Sequence, residues 1–353
     1  MSETHDFLID FPTLGYLQAD WVAWHCPIPD GFHKGQPFVL TDWQLWCTAN
    51  HGRVRPGTPW IEANPIKNQA FTNRRSLVVG PQKYGKSPWA ASEALLMGLG
   101  PDLFAGWAEG GEVFDCRDYG CGCGFLYEYE PGEPMGMPWP TPLVQLMASS
   151  DDQVDNTWQP MLSMIRNGVL SERVRAGESF VRIGDEGRID KVTSSAQSRL
   201  GNPTTGFIQD ETGTYTKSNG LIAVARTMRR GTSVMGGRGI ELTNAWDPGV
   251  ESTARQTFES RAPDIFRFFR QPPANLSYKN KRERRQIHAY VYAGATHVDL
   301  ASVEAEAAEL METDPAEAAR FYGNKLVRGQ GTWLPEGMWE AAYARPRVVA
   351  QSA

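Results

Sequence analysis

Apolar and polar positions along this chain fall into short blocks of two kinds. Compact apolar runs bounded by Gly, Asp or Ser predict strands at residues 76–79, 142–149, 180–184, 190–195, 206–210 and 239–245. Helical spacing predicts helices over residues 42–50, 89–99, 153–167, 221–229 and 253–261. Strand, glycine loop and helix recur in that order from residue 76 onward, the pattern of an α/β fold with a mainly parallel sheet flanked by helices. From about residue 272 the character changes, and the Ala/Glu-rich stretch at 301–324 predicts a small, mainly helical subdomain. The expected division is therefore a domain over 1–271, with a Cys- and Gly-rich insertion near 105–140, and a lid or linker over 272–353.

Composition narrows the class. The 353 residues carry 35 Lys+Arg against 41 Asp+Glu, a net charge of -6, and 41% are hydrophobic, close to the soluble globular average and remote from disordered, collagenous or coiled-coil chains. No run of about 18 apolar residues occurs, and MSETHDFLIDFPTLGY lacks a signal-peptide pattern, so a soluble intracellular protein without a membrane partner is expected. The negative balance argues against a surface that coats nucleic acid, though not against a local basic patch. The 35 Gly and 24 Pro mark many turns.

Residues 80–87 read GPQKYGKS, a complete G-x4-G-K-S between an apolar strand and a helix. Gly80 and Gly85 let the backbone curl so that successive N–H groups, with those of the inner positions Gln82, Lys83 and Tyr84, converge on a phosphate. The helix that follows directs its positive N-terminus at the same anion. Lys86 is expected on the β- and γ-phosphates of ATP and Ser87 on Mg2+. Pro88 falls in the first helical turn, where its missing N–H costs nothing. The competing reading is an incidental glycine turn.

Such a site needs an acidic residue at the end of a neighbouring strand. FIQDET supplies Asp210 as a second Mg2+ ligand and Glu211 as the carboxylate that activates water, a pairing that favours hydrolysis over small-molecule phosphorylation. A cation for the developing γ-phosphoryl charge is expected from Arg199, eleven residues before Asp210 on a Gly/Ser/Asn-rich loop, reaching a neighbouring subunit's nucleotide. Arg226, Arg229 and Arg230 are alternatives, and Lys83 is a cation in cis. Thr243 and Asn244, at the end of the 239–245 strand, are candidates for sensing the γ-phosphate, or simply turn formers. Trp43 and Gln44 offer a ring and an amide to adenine, against a core role for the tryptophan.

Five cysteines argue against a disulfide framework in a chain of this type. Cys116, Cys121 and Cys123 form C-x4-C-x-C, a spacing that can wrap Zn2+, but no second C-x2-C or nearby His follows to complete four ligands. A Gly-rich hairpin is the alternative. KNKRERR at 279–285 reads either as a contact for DNA phosphates or as a solvated, self-neutralising surface strand.

Taken in order, the WQ pair at 43–44, GPQKYGKS, LVQLMASSDDQVDNTW at 143–158, the SR-x-G loop at 198–201, FIQDET, ELTNAWDP and FYGNKLVRGQGTWLP make the chain resemble the large subunit of tailed-phage terminases, of actinobacterial-phage type. That resemblance spans about residues 38–345 and implies a P-loop ATPase of the ASCE type. It also implies a homo-oligomeric ring that docks on the portal protein, works with the small terminase subunit and drives double-stranded DNA into a procapsid in the host cytoplasm. Arg199 would be the trans-acting finger, Glu211 the catalytic carboxylate and Thr243-Asn244 the coupling pair. Two departures stand out: Gln82 and Lys83 occupy the loop positions where the family often has Arg, and the chain stops at Ala353, where a nuclease domain is expected to begin. DNA cleavage is therefore not expected of this chain. A cellular helicase-like translocase and a non-hydrolysing nucleotide-binding scaffold are the rival readings.

Overall fold

The computed structural model describes residues 7–192 and 202–329. Its strands are β1 (Arg75–Val79), β2 (Leu103–Trp107), β3 (Val113–Asp115), β4 (Leu126–Glu128), β5 (Pro134–Met137), β6 (Leu143–Met147), β7 (Val174–Ala176), β8 (Phe180–Ile183), β9 (Gly187–Val192), β10 (Gly206–Gln209), β11 (Arg238–Thr243) and β12 (Ile265–Phe269). The helices are α1 (Gly15–His25), α2 (Asp42–His51), α3 (Lys86–Leu99), α4 (Asp151–Asn167), α5 (Leu221–Gly231), α6 (Thr253–Glu259), α7 (Lys281–Val291), α8 (Leu300–Thr313) and α9 (Pro315–Phe321).

Eight strands form one sheet in the order β12-β1-β11-β10-β6-β9-β8-β7. The six from β12 to β9 are parallel, and β8 and β7 add an antiparallel edge. The central strands are buried on both faces, as a parallel sheet covered by helices demands. Alternation along them fixes what each face meets. Val78, Ile208 and Ile240 pack with Ala90, Ala91, Ala94 and Leu95 of α3. Leu77 and Val79 point the other way, to Ala254 of α6 and Trp246. Phe207 and Met147 meet Leu221, Val224 and Met228 of α5. Phe207 lies so close to β11 that a Cβ at Gly239 would overlap its ring, so only glycine serves there.

The predicted α/β architecture holds, and the differences have physical causes. α1, β7 and β12 were not expected: β12 carries Arg267 within IFRFF, and α1 mixes Trp, Gln and Asp without a clean apolar stripe. The 105–140 insertion folds as two small antiparallel pairs, β2 with β5 and β3 with β4. The run at 279–285 is not a surface strand. Asn280 caps α7 through bonds from the N–H groups of Arg282 and Glu283, and Arg284 is buried against Glu304 of α8 at 2.8 Å. Among the described residues, no helix is long and apolar enough to cross a membrane.

Candidate active site

Parallel register decides which residues meet. Val79 aligns with Thr243, and Gln209 with both Glu241 and Met147, so β1, β6, β10 and β11 end on one edge of the sheet. In open α/β sheets that carboxyl edge is where ligands bind. The loop 80–85 leaves β1 there, Asp210-Glu211 leave β10, and Asn244 follows β11.

The loop takes the shape its glycines permit. Gly85 has φ +94° and caps α3, and a Cβ on it would press into the His297 ring. Lys83 also has positive φ, at 64°, and its side chain is exposed in the cleft. Lys86 is buried, and its Nζ donates to the carbonyls of Gly80 and Pro81, each at 2.9 Å, and to Asn244 Oδ1 at 2.8 Å. Burial lowers the Lys86 pKa, while the nearby carboxylates of Glu211 and Asp210 oppose that shift.

Asp210 is held from two sides. Thr157 on α4 donates its hydroxyl to Oδ2 at 2.9 Å, and the Glu211 N–H donates to Oδ1 at 2.9 Å. Burial, reinforced by the adjacent Glu211 charge, pushes its pKa up to about 6. Glu211 has φ 55°, an unfavourable backbone for a residue with a Cβ. The Asn244 amide ties the parts together: its Oδ1 accepts from Lys86, and its Nδ2 donates to Glu211 Oε1 at 3.4 Å. Thr243 Oγ1 accepts from the Gly213 N–H at 3.0 Å, clamping the turn after Glu211 to β11.

A cleft of about 750 Å³ opens over these groups, and its lining includes Lys83, Ser87, Glu211, Asn244, His297 and Tyr322. That volume is in the range of ligand sites for small molecules. The structure thus gathers Gly80, Gln82, Lys83, Tyr84, Gly85, Lys86, Ser87, Asp210, Glu211, Thr243 and Asn244 at one edge.

The adenine expectation at Trp43 and Gln44 needs correcting. Trp43 is fully buried, stacked on Tyr84 at 4.4 Å and flanked by Trp89 and Phe268. No face of its ring is open, so it packs behind the loop. Gln44 is nearly buried too: its Oε1 accepts from the Thr41 N–H at 2.9 Å and its Nε2 donates to the Gly85 carbonyl at 3.3 Å, so both polar ends serve the fold.

The alternative arginines are engaged elsewhere. Arg229 meets the fully buried Glu241 at 3.2 Å, Arg226 bonds Gln256 at 3.0 Å, and Arg230 bonds Thr227 at 3.0 Å. Arg199 lies outside the described residues. Cys116, Cys121 and Cys123 come together, but not in this cleft.

Residues after 272 supply what the sequence did not suggest. Tyr292 donates its hydroxyl to the Gln82 carbonyl at 2.7 Å, Tyr84 donates to the Ala293 carbonyl at 3.1 Å, and the Gln82 N–H donates to the Phe321 carbonyl at 2.7 Å. His297 and Tyr322 reach the cleft by this docking, with His297 Nε2 lying 3.4 Å from the Lys83 carbonyl. No local signal marks either residue, because 214 positions separate His297 from Lys83.

No protein-family model matches the chain. It is similar to the Gene 13 protein of Mycobacterium phage D29, 28% identical over 206 residues that cover 56% of this chain and 31% of that protein. The Gene 13 protein of Mycobacterium phage L5 is 28% identical over 196 residues, covering 54% of this chain and 30% of that protein. The matched segment therefore spans about a third of each curated relative. Among solved structures, the large terminase of bacteriophage HK97 superposes with a TM-score of 0.61 at 14% identity, over 89% of this chain and 55% of that one. With its glycine loop and acidic pair on one edge of a mainly parallel sheet, this chain has an α/β fold similar to that of a phage large terminase.

Proposed function

We propose that this chain is the ATPase portion of a terminase large subunit, hydrolysing ATP to drive double-stranded viral DNA into a procapsid. The observation that carries this reading is the Asn244 amide, which joins the phosphate-binding lysine to the carboxylate expected to activate water. The residues present suit a nucleotide with Mg2+: a loop turned by positive φ at Gly85, a hydroxyl in the cleft, Ser87, and a buried carboxylate directly after β10, Asp210, to hold the ion. When bound, Mg2+ neutralises charge on the β- and γ-phosphate oxygens.

The chain's own residues do the rest. The loop N–H groups from Gln82 to Ser87 fix the phosphates. Lys86, now on the carbonyls of Gly80 and Pro81, has its ammonium at the mouth of that cradle. Glu211 orients the attacking water and takes its proton on the carboxylate, and Asn244 keeps that carboxylate in register with Lys86. Lys83 adds a cation in cis, and Arg199 adds one from the neighbouring subunit of a homo-oligomeric ring. His297 and Tyr322 line the cleft where Trp43 and Gln44 do not reach, and are the better candidates for the base. Residues 272–353 act as a lid or linker on a domain of 1–271. Portal protein and small terminase subunit are the proposed partners, and the host cytoplasm the place of work.

ATP turnover by wild type, Glu211→Ala and Arg199→Ala, alone and mixed, tests this. Glu211→Ala is expected to lose roughly 100-fold or more in rate, as for removal of a general base. Mixing the two variants should restore part of the activity, because each supplies what the other lacks. Wild-type turnover by Glu211→Ala would overturn the hydrolytic reading, and wild-type turnover by Arg199→Ala would remove the finger.

A further inference from the structure

Outside the ATP site, His25, Cys116, Cys121 and Cys123 bring one imidazole nitrogen and three sulfurs within 4.8 Å of one another. The His25 Nε2 lies 3.5 Å from Cys116 Sγ, 3.9 Å from Cys121 Sγ and 3.2 Å from Cys123 Sγ. A tetrahedral zinc with bonds of about 2.3 Å to sulfur and about 2.05 Å to nitrogen separates N from S by about 3.5 Å. The three separations centre on that value.

The imidazole is also prepared for a metal. Its Nδ1 lies 2.8 Å from the Trp21 carbonyl one helical turn back, and the ring stacks on Trp21 at 4.2 Å. A proton on Nδ1 leaves the Nε2 lone pair facing the thiols, the usual outer-shell arrangement of a metal-bound histidine. On the other side, the Phe125 N–H donates to Cys123 Sγ at 3.5 Å, and positive φ at Gly120 and Gly124 lets the short loop wrap inward.

We propose that His25, Cys116, Cys121 and Cys123 bind one structural Zn2+ that fastens the 103–137 excursion to the end of α1. Four protein ligands close the coordination shell, which leaves no position for a substrate. Three thiolates and a neutral imidazole give the ion an environment of net charge 2 − 3 = −1. Arg173, whose guanidinium bonds the Tyr119 carbonyl at 3.0 Å, lies beside it.

Metal analysis of the full chain, purified reduced, exposed to Zn2+ and washed with chelator, should give about one zinc per chain. Co2+ added to demetallated protein should give a tetrahedral spectrum with thiolate-to-metal charge transfer, abolished by added Zn2+. Cys123→Ser and His25→Ala should each weaken binding by more than the roughly 10- to 100-fold typical of outer-shell changes. The exposed His33→Ala should bind as wild type does. A stoichiometry near zero, a cobalt spectrum without thiolate bands, or full zinc retention by both ligand variants would each overturn the site. The wild-type cobalt spectrum decides even if a variant fails to fold.

Discussion

Lys86 and Asn244 are joined by a 2.8 Å hydrogen bond from Nζ to Oδ1, across 158 residues of sequence, between the first residue of α3 and the residue that follows β11. The same amide donates to Glu211 at 3.4 Å, so one neutral side chain spaces a cation from a carboxylate. A direct ion pair there would tie up both groups to which the proposed mechanism assigns a role.

Replacing Asn244 should therefore act on catalysis more than on folding. A hydrogen bond to a charged group is worth about 1.5–3 kcal/mol, so Asn244→Ala should slow ATP turnover by roughly 10- to 150-fold at saturating ATP. Asn244→Asp should also be slow, because its charge pairs with Lys86 and repels Glu211. Steady-state turnover with thermal unfolding alongside checks this, and unchanged turnover in Asn244→Ala would discount the bridge.

Glu93 on α3 predicts a pH dependence of stability. It is buried and donated to by the Thr48 hydroxyl at 2.5 Å, and burial pushes its pKa up to about 7. The Thr48 bond opposes that shift, the Asp102 charge adds to it and Arg238 counters it, while the thiols of Cys26 and Cys47 also face this carboxyl. A carboxyl whose folded pKa is raised contributes stability below its unfolded value near 4.5, which is lost as pH rises towards 7. Glu93→Gln, with the same shape and no charge, should gain on wild type across that window and hold a constant advantage above it. Denaturant midpoints at several pH values measure it, and parallel curves would refute the assignment.

Gly239 and Phe207 form a contact that one methyl group would break. Gly239→Ala drives a Cβ into the Phe207 ring between two central strands and should cost about 1–3 kcal/mol, the usual penalty of overpacking. Phe207→Leu should cost stability alone yet relieve part of the Gly239→Ala penalty. Additive losses in that double-mutant cycle would count against the steric account.

Arg238 and Asp102 are a buried ion pair, with side chains 5% and 4% exposed. Arg238 also lies over the Phe71 ring at 3.7 Å and donates to the His51 carbonyl. Removing one partner strands the other charge in the core, so Asp102→Ala should lose about 3–5 kcal/mol. A loss below about 1 kcal/mol would mean that water reaches Arg238 after all.

How far the sequence could be read depended on how local each feature is. The strand-loop-helix at 76–99 was legible because Gly80, Gly85 and the apolar spacing act within one contiguous stretch. Asp210 and Glu211 were legible for the same reason, following the short buried strand β10. Trp43 was misassigned because a tryptophan before a glutamine looks alike whether its ring meets a base or Tyr84. The 279–285 run is largely solvated, as its charges suggested, but it leads into a helix rather than a strand, and Glu304, twenty residues on from Arg284, buries that one arginine. His25 escaped notice because it precedes Cys116 by 91 positions.

By itself, then, the sequence determined the fold class and the places of the glycine loop and the acidic pair, since backbone conformation and burial pattern are set by neighbours a few residues apart. Only the tertiary structure decided that Asn244 links Lys86 to Glu211, that His297 and Tyr322 line the cleft, and that His25 faces three cysteines. Each of those relationships depends on parallel strand register or on helices docking across the sheet. Such contacts form only when apolar surfaces far apart in sequence are buried together, and spacing along the chain does not encode that distance.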